Sequence, residues 1–240
     1  MGRTAICGTV AAAAALAIVL SGCGSDTKTE PSTSASASTT TSSETSTKAA
    51  APARKSKIAP RDEDAAGPNP TIASYIADNN IQETPVKMGD PGAPKIDLPV
   101  PDGWELGGEN TPDWAYSAIV YNGPDAGDYT PSIVALMSKL AGNVDPQKII
   151  DLAPGELQNL PGWKATNEGQ AGTLGKYPAY QLGGTWRQDG QTKIVAQKTV
   201  VIPGSDGLYV LQLNADGLED QGELVGSATD VIDQQTKITP

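Results

Sequence analysis

A chain of 240 residues with 17 Lys and Arg against 28 Asp and Glu has a formal charge of −11, no histidine and two cysteines. The acidic balance excludes a nucleic-acid binder built on a basic, phosphate-gripping face. The missing imidazole excludes Ser-His-Asp and Cys-His catalysis, histidine metal ligands and imidazole proton shuttles.

Residues 11–20 form a run of small and apolar residues that closes on Leu20-Ser21-Gly22-Cys23. A short apolar run, small residues and then a cysteine is the ending of a bacterial lipoprotein signal peptide. The expectation is that residues 1–22 are a signal peptide, cut between Gly22 and Cys23. The Cys23 thiol then carries diacylglycerol and becomes the first residue. The apolar stretch 5–20 is shorter than the roughly 20 residues of a membrane span, and many of its residues are alanine. A signal peptide is therefore preferred to a transmembrane helix. A single acyl chain holds a protein to a bilayer marginally, whereas two hold it firmly. The expected location is the extracytoplasmic face of the plasma membrane, lipid-anchored, with shedding or surface exposure as a further fate. Cys7 leaves with the signal and Cys23 is consumed by lipid, so no thiol remains for catalysis, zinc or a disulfide.

Residues 23–66 read as the lipidated cysteine and a disordered tether of Ser, Thr, Ala and Pro. Residues 32–43 contain only Ser, Thr and Ala. Without apolar periodicity no face offsets the entropy of ordering. A flexible coil of about 43 residues spans roughly 35 Å. Such stalks are frequent O-glycosylation substrates. The charges of Arg54-Lys55-Ser56-Lys57 and Arg61-Asp62-Glu63-Asp64 read as a solvated linker. The acidic body is repelled by anionic headgroups, so attachment is by lipid and not by surface.

One globular domain is expected over 67–240. Asn69 as N-cap and Pro70 at the first helical position predict a short helix over about 70–80. Residues 82–88 read as a strand, followed by a Gly/Pro turn over 89–94. Ile96, Leu98 and Val100 alternate, with Pro99 and Pro101 breaking the run, which suits an edge strand. Trp104 follows an Asp102-Gly103 turn, and strands are expected at 116–121 and 132–140. Asp145-Pro146 marks a helix start, with Pro154 breaking or restarting the helix and Pro161-Gly162 ending it. Residues 180–186 and 194–202 flank Asp189-Gly190, a strong hairpin signal. Residues 208–213 form the next strand. Asp216 with Glu219 resembles a capping box. Leu218, Val225, Ala228 and Ile232 then follow helical spacing to about 234. Gly222 and Gly226 weaken that helix by roughly 1 kcal/mol each relative to alanine.

Strand 132–140 places Ile133, Ala135 and Met137 on one face and Val134, Leu136 and Leu140 on the other; strand 194–202 also carries aliphatics on both faces. A sheet covered on both sides follows. With hairpin connections and few helices, the expected class is α+β, an α/β/α sandwich around a mainly antiparallel sheet.

No cofactor or metal site and no catalytic set is expected. Pro203-Gly204-Ser205-Asp206-Gly207 lacks the first glycine of a nucleophile elbow and reads as a surface turn. Asn214-Ala215-Asp216-Gly217 lacks EF-hand spacing and reads as helix capping. Carboxylate pairs are numerous, but nothing singles one out. Six aromatic residues (Trp104, Trp114, Trp163, Trp186, Tyr177 and Tyr180) read first as the large core residues of a chain with no phenylalanine. Trp104, Trp163, Tyr180 and Trp186 are the candidates to line a ligand groove, since indole and phenol rings stack on sugars and line apolar pockets.

The lipobox and tether, together with Asn69-Pro70-Thr71-Ile72-Ala73-Ser74-Tyr75-Ile76, Asp97-Leu98-Pro99-Val100-Pro101-Asp102-Gly103-Trp104, Ala153-Pro154-Gly155-Glu156-Leu157, Val195-Ala196-Gln197-Lys198-Thr199-Val200-Val201-Ile202-Pro203 and Val210-Leu211-Gln212-Leu213-Asn214-Ala215-Asp216, resemble the mycobacterial LpqN/LpqT lipoprotein family. The resemblance covers about 67–240 and implies a PsbP-like sandwich. It implies no active site; only the lipidated cysteine maps onto this chain, at Cys23. It further implies an envelope lipoprotein of mycobacteria without established enzymatic activity. Members are associated with envelope lipid assembly around trehalose-mycolate export and with host contact during infection.

The leading expectation is a non-catalytic binding or accessory module for an acyl-trehalose or mycolate, holding a trehalose glycolipid or docking on a membrane lipid exporter. The alternative is a protein–protein module contacting a host or envelope protein. A hydrolase using two carboxylates is a third reading. No nucleic acid is expected as a partner.

Overall fold

The computed structural model describes residues 67–127 and 129–240. The expected signal peptide, Gly22, Cys23 and the tether lie outside the described residues.

The first helix, α1 (Ile72–Asp78), starts two residues later than Asn69 suggests. Thr71 is its cap: Ser74 N–H donates to Thr71 Oγ1 at 3.1 Å, and Thr71 N–H donates to Ser74 Oγ at 2.9 Å. This reciprocal pair satisfies two end groups of the helix. Asn69 is spent elsewhere. Its backbone and side-chain N–H groups donate to Asn159 Oδ1, and Asn159 Nδ2 donates back to Asn69 O. The next strand, β1 (Gln82–Pro85), is shorter than expected. Val86 N–H still bonds Met137 O, but Lys87 N–H turns to Asp90 Oδ2 at 2.8 Å and closes a turn.

Of the expected 96–100 run only the start is a strand, β2 (Lys95–Asp97). It is not an edge of the main sheet; it pairs with β11 (Lys237–Thr239), setting Ile96 opposite Ile238 in a separate ribbon. After β3 (Trp104–Leu106) and β4 (Ser117–Tyr121) comes β5 (Ser132–Ala141). Asp145 caps α2 (Pro146–Leu152) as its sequence signals, its Oδ1 accepting from Gln147 N–H at 2.9 Å. Pro154 restarts the chain as the single turn α3 (Gly155–Gln158). Gly155 is required there, because a Cβ would sit 2.0 Å from Pro70 O.

Two short strands, β6 (Lys164–Ala165) and β7 (Gln170–Leu174), precede the long hairpin of β8 (Tyr177–Gln188) and β9 (Gln191–Pro203). Asp189 (φ 51°) and Gly190 (φ 79°) both take the left-handed conformation that a two-residue hairpin turn needs. The following strand, β10, runs Leu208–Leu218, five residues past its expected end. Asp216 therefore stays in the ladder, paired with Val195 and Ser132, and caps nothing. The last helix, α4 (Gly222–Gln235), follows a short 3-10 turn, Glu219–Gln221. Gln221 Oε1 accepts from Leu218 N–H at 2.8 Å at this entry.

Among the described residues, the main sheet has nine antiparallel strands in the order β3-β4-β5-β10-β9-β8-β6, with β1 added to β5 and β7 to β8. The two-faced strands divide the core. Ile133, Ala135 and Met137 of β5, Val200 and Ile202 of β9, and Leu211 and Leu213 of β10 pack with Val225, Ala228 and Ile232 of α4. On the reverse face, Leu140, Val201 and Val210 pack with Ile72 of α1 and with Ile149, Ile150 and Leu152 of α2. Leu157 of α3 packs with Leu182 and Val195. Helices on both faces of an antiparallel sheet give the α/β/α sandwich.

Candidate functional site

A groove of about 250 Å³ lies between α4 and the sheet. Period-2 alternation along β9 turns Ile194, Ala196 and Lys198 toward α4. Leu213 and Ala215 of β10 and Ile133 of β5 continue the apolar floor. The α4 side consists of Val225 and Ile232 together with Gly222 and Gly226. The two glycines are one helical turn apart, on the side of α4 that lines the groove. A Cβ on Gly226 would meet nothing within 4 Å, and one on Gly222 would come no nearer than 3.9 Å, to Ile194 Cγ1. These glycines are therefore not close helix–sheet contacts. They leave space, and Val225, Ala228 and Ile232 hold the helix instead.

The rim is polar. Lys198 Nζ lies 2.5 Å from Asp233 Oδ1 and ties β9 to α4. Thr229 and Asp230 continue the helical lip. Opposite, Asn167 Oδ1 accepts from Gly169 N–H at 3.0 Å and Gly183 N–H at 3.4 Å, which fixes the segment between β6 and β7 against β8. An apolar trough with a hydrogen-bonding lip suits an amphiphile: the chain is buried and the head stays at the solvent edge.

The four aromatic candidates do not line one groove; three gather on the reverse face and Trp104 stands apart. Trp104 is buried, 5.8 Å from Tyr121 in an edge-to-face contact. It borders a second groove of about 320 Å³, beside Leu224, Ala228 and Val231 of α4. Trp163, Tyr180 and Trp186 lie on the reverse face, packed with Leu157, Leu160, Leu182 and Val195. Trp186 also faces a buried cation. Lys193, its cross-strand partner, has Nζ 5.5 Å from the Trp186 ring and 4.4 Å from the Tyr129 ring. Lys193 donates to Tyr129 Oη at 2.7 Å and lies 3.4 Å from Asp216 Oδ2, which also accepts from the Tyr129 hydroxyl. Burying an ammonium demands such partners. This explains why Asp216 stays in the strand.

A third cavity, of about 170 Å³, lies between α1 and the reverse face and is bordered by Glu83, Glu156 and Gln212. Glu156 Oε2 accepts from Gln197 Nε2 and Gln212 Nε2, each at 3.0 Å, and Gln197 Nε2 also reaches Asn214 Oδ1 at 3.0 Å. The serine of Pro203-Gly204-Ser205-Asp206-Gly207 sits in the turn between β9 and β10. There Asp206 pairs with Lys139, and Tyr209 Oη lies 3.1 Å from Asp206 Oδ1 and 3.3 Å from Gly92 O. The hydrogen bond raises the Lys139 pKa and lowers that of Asp206, while burial and then Asp206 raise that of Tyr209. Among the described residues, no group of three or more Cys, Asp or Glu is arranged to hold a metal ion, and no helix is long and apolar enough to cross a membrane.

Comparison with known proteins adds a family. The one described as "Probable lipoprotein LpqN" matches residues 68–239. Lipoprotein LpqN of Mycobacterium tuberculosis is 54% identical over 176 residues, which is 73% of this chain and 77% of that protein. The crystal structure of LpqN, described as involved in cell envelope biogenesis of Mycobacterium tuberculosis, superposes with a TM-score of 0.68 at 54% identity, covering 72% of this chain and all of that one. The solution structure of PsbP from Synechocystis sp. PCC 6803 matches with a TM-score of 0.41 at 10% identity, over 66% of this chain and 92% of that one.

Proposed function

Because the chain belongs to the LpqN lipoprotein family, we propose that it is a membrane-anchored lipoprotein that serves cell-envelope biogenesis without catalysis. Cys23 carries the lipid anchor, and the tether lets the folded domain stand off the extracytoplasmic face of the plasma membrane. The domain holds the acyl chain of an envelope glycolipid, an acyl-trehalose or mycolate precursor, during assembly or export.

The α4 groove is the observation that carries this reading. Its apolar floor and polar rim match the two ends of a glycolipid, and Gly222 and Gly226 keep it open. Its volume is close to the lower end of the roughly 300–1,000 Å³ of small-molecule pockets. It therefore suits one alkyl segment and not a whole two-branched mycolate. The description of the Mycobacterium tuberculosis relative as involved in envelope biogenesis supports the same reading.

Calorimetry tests it on the mature chain carrying Cys23→Ala, so that no attached lipid competes. A trehalose monoester with a medium-length chain is expected to give saturable heat. No heat up to millimolar ligand refutes the lipid-holding form.

A second reading, docking on a membrane lipid exporter or a host protein, draws on the groove beside Trp104, where Val100 is 43% exposed. Crosslinking in intact cells that recovers a partner protein through Val100 or Leu224, with no lipid required, favours it.

A further inference from the structure

The groove's rim carries charges that an alkyl trough does not need. Among the described residues, Lys198 is the only Lys or Arg along it; its side chain is 12% exposed, and its ammonium is engaged with Asp233. Asp230, one helical turn before Asp233, is exposed, and its carboxylate has no hydrogen bond or ion pair among the described residues. The remaining rim groups, Thr166, Asn167, Gln181 and Thr229, are neutral. With Lys198 and Asp233 cancelling, the mouth keeps one uncompensated negative charge.

We propose that this rim selects amphiphiles by head-group charge, admitting an uncharged head and excluding an anionic one such as a carboxylate or phosphate. The proposal rests on the reading of the groove as an alkyl-chain site. An anionic head meets Asp230 directly, and among the described residues lining the groove nothing of opposite sign is free to receive it. It gains nothing by displacing Asp233 from Lys198, because that exchanges one carboxylate for another and leaves Asp233 unpaired beside Asp230. An uncharged head bearing hydroxyls avoids both costs. It also finds donors and acceptors in Thr166, Thr229 and the Asn167 amide, whose Nδ2 has no partner among the described residues. Like charges a few ångströms apart at a protein surface repel enough to weaken binding about tenfold. The effect is screened by salt over about 10 Å at 0.1 M.

Two probes with the same tail test this on the mature Cys23→Ala chain: decyl maltoside and decanoate, both kept monomeric, at pH 7.5. Decanoate is expected to bind about tenfold more weakly. The gap is expected to narrow several-fold in Asp230→Asn and in high salt. Asp233→Asn frees Lys198 and is expected to strengthen decanoate binding more than decyl maltoside binding. Equal binding of the two probes to the unsubstituted rim overturns the charge filter and leaves the alkyl site standing. A gap that neither substitution alters overturns the assignment to these residues. Binding of neither probe overturns the alkyl-site reading itself. Asp230 is exposed, so Asp230→Asn keeps the fold and the test remains decisive even if Asp233→Asn unfolds.

Discussion

Replacing Gly226 with leucine separates the shape of the groove from the stability of the helix that walls it. Gly226 is inside α4, where glycine is about 1 kcal/mol worse than alanine and leucine is nearly as good as alanine. A Cβ there meets nothing within 4 Å, so the new side chain brings no clash at its root. Stability is expected to rise by about 0.5–1 kcal/mol. For a folded region of roughly 170 residues this moves Tm up by about 1–4 °C. The same isobutyl group enters the groove and displaces three or four ligand methylenes, each worth about 0.8 kcal/mol. The loss of about 3 kcal/mol corresponds to roughly a hundredfold in Kd. Thermal unfolding followed by circular dichroism and calorimetry with decyl maltoside read the two effects, with Gly226→Ala as the variant that raises Tm and spares most binding. A Gly226→Leu protein that is more stable and binds as before shows that the alkyl chain lies elsewhere. A lower Tm shows that the space beside Gly226 is not open.

Three further outcomes follow from the same structure. Glu156→Ala strands the partly buried amides of Gln197 and Gln212, which costs about 1–3 kcal/mol; an unfolding free energy from urea titration lower by that amount checks it, and an unchanged one contradicts it. The Asp206 pKa is lowered in the folded state, so its contribution is complete above the unfolded value near pH 4 and is lost as the pH falls through the lower folded value. Asp206→Asn is therefore expected to lower urea midpoints at pH 6 and to show a shallower loss as the pH falls below about 4. Lastly, Cys23→Ala is expected to move the protein from the membrane fraction to the soluble fraction of cells while thermal unfolding of the domain is unchanged; a membrane-bound Cys23→Ala protein contradicts the anchor.

Local chemistry made much of the fold readable. Asp189-Gly190 announces its hairpin because few residue pairs accept two left-handed conformations in succession, and Asp145-Pro146 announces α2 by cap and fixed φ together. Aliphatics on both faces of β5 and β9 announce a doubly covered sheet. Where two local signals compete, long-range contacts decide. Asn69 and Thr71 are both good caps, and the tertiary bond of Asn69 to Asn159 leaves the cap to Thr71. Asp216 has the spacing of a cap box, but the buried Lys193 ammonium holds it in β10. Strands β6, β7 and β11 are short and mostly exposed, so no apolar alternation marks them.

The groove was less legible than the fold, because it is made of what side chains leave empty. Large aromatic rings are conspicuous in a sequence, yet Trp163, Tyr180 and Trp186 fill the reverse-face core. The lining instead joins Ile194 and Ala196 with residues of α4 some thirty positions later. Its one sequence signal is Gly222 and Gly226, four residues apart in a helix that glycine weakens. That spacing marks a bare strip on the helix without saying whether backbone or ligand lies against it.

The most direct test is a nuclear magnetic resonance titration of the isotope-labelled mature Cys23→Ala chain with a trehalose monoester. Saturable shifts centred on Ile194, Ala196, Val225, Gly226 and Ile232 are the predicted result. Shifts centred instead on Trp163, Tyr180 and Trp186, or on the cavity beside Glu156, contradict the α4 groove as the lipid-holding site, and no shifts at all contradict lipid holding by this domain.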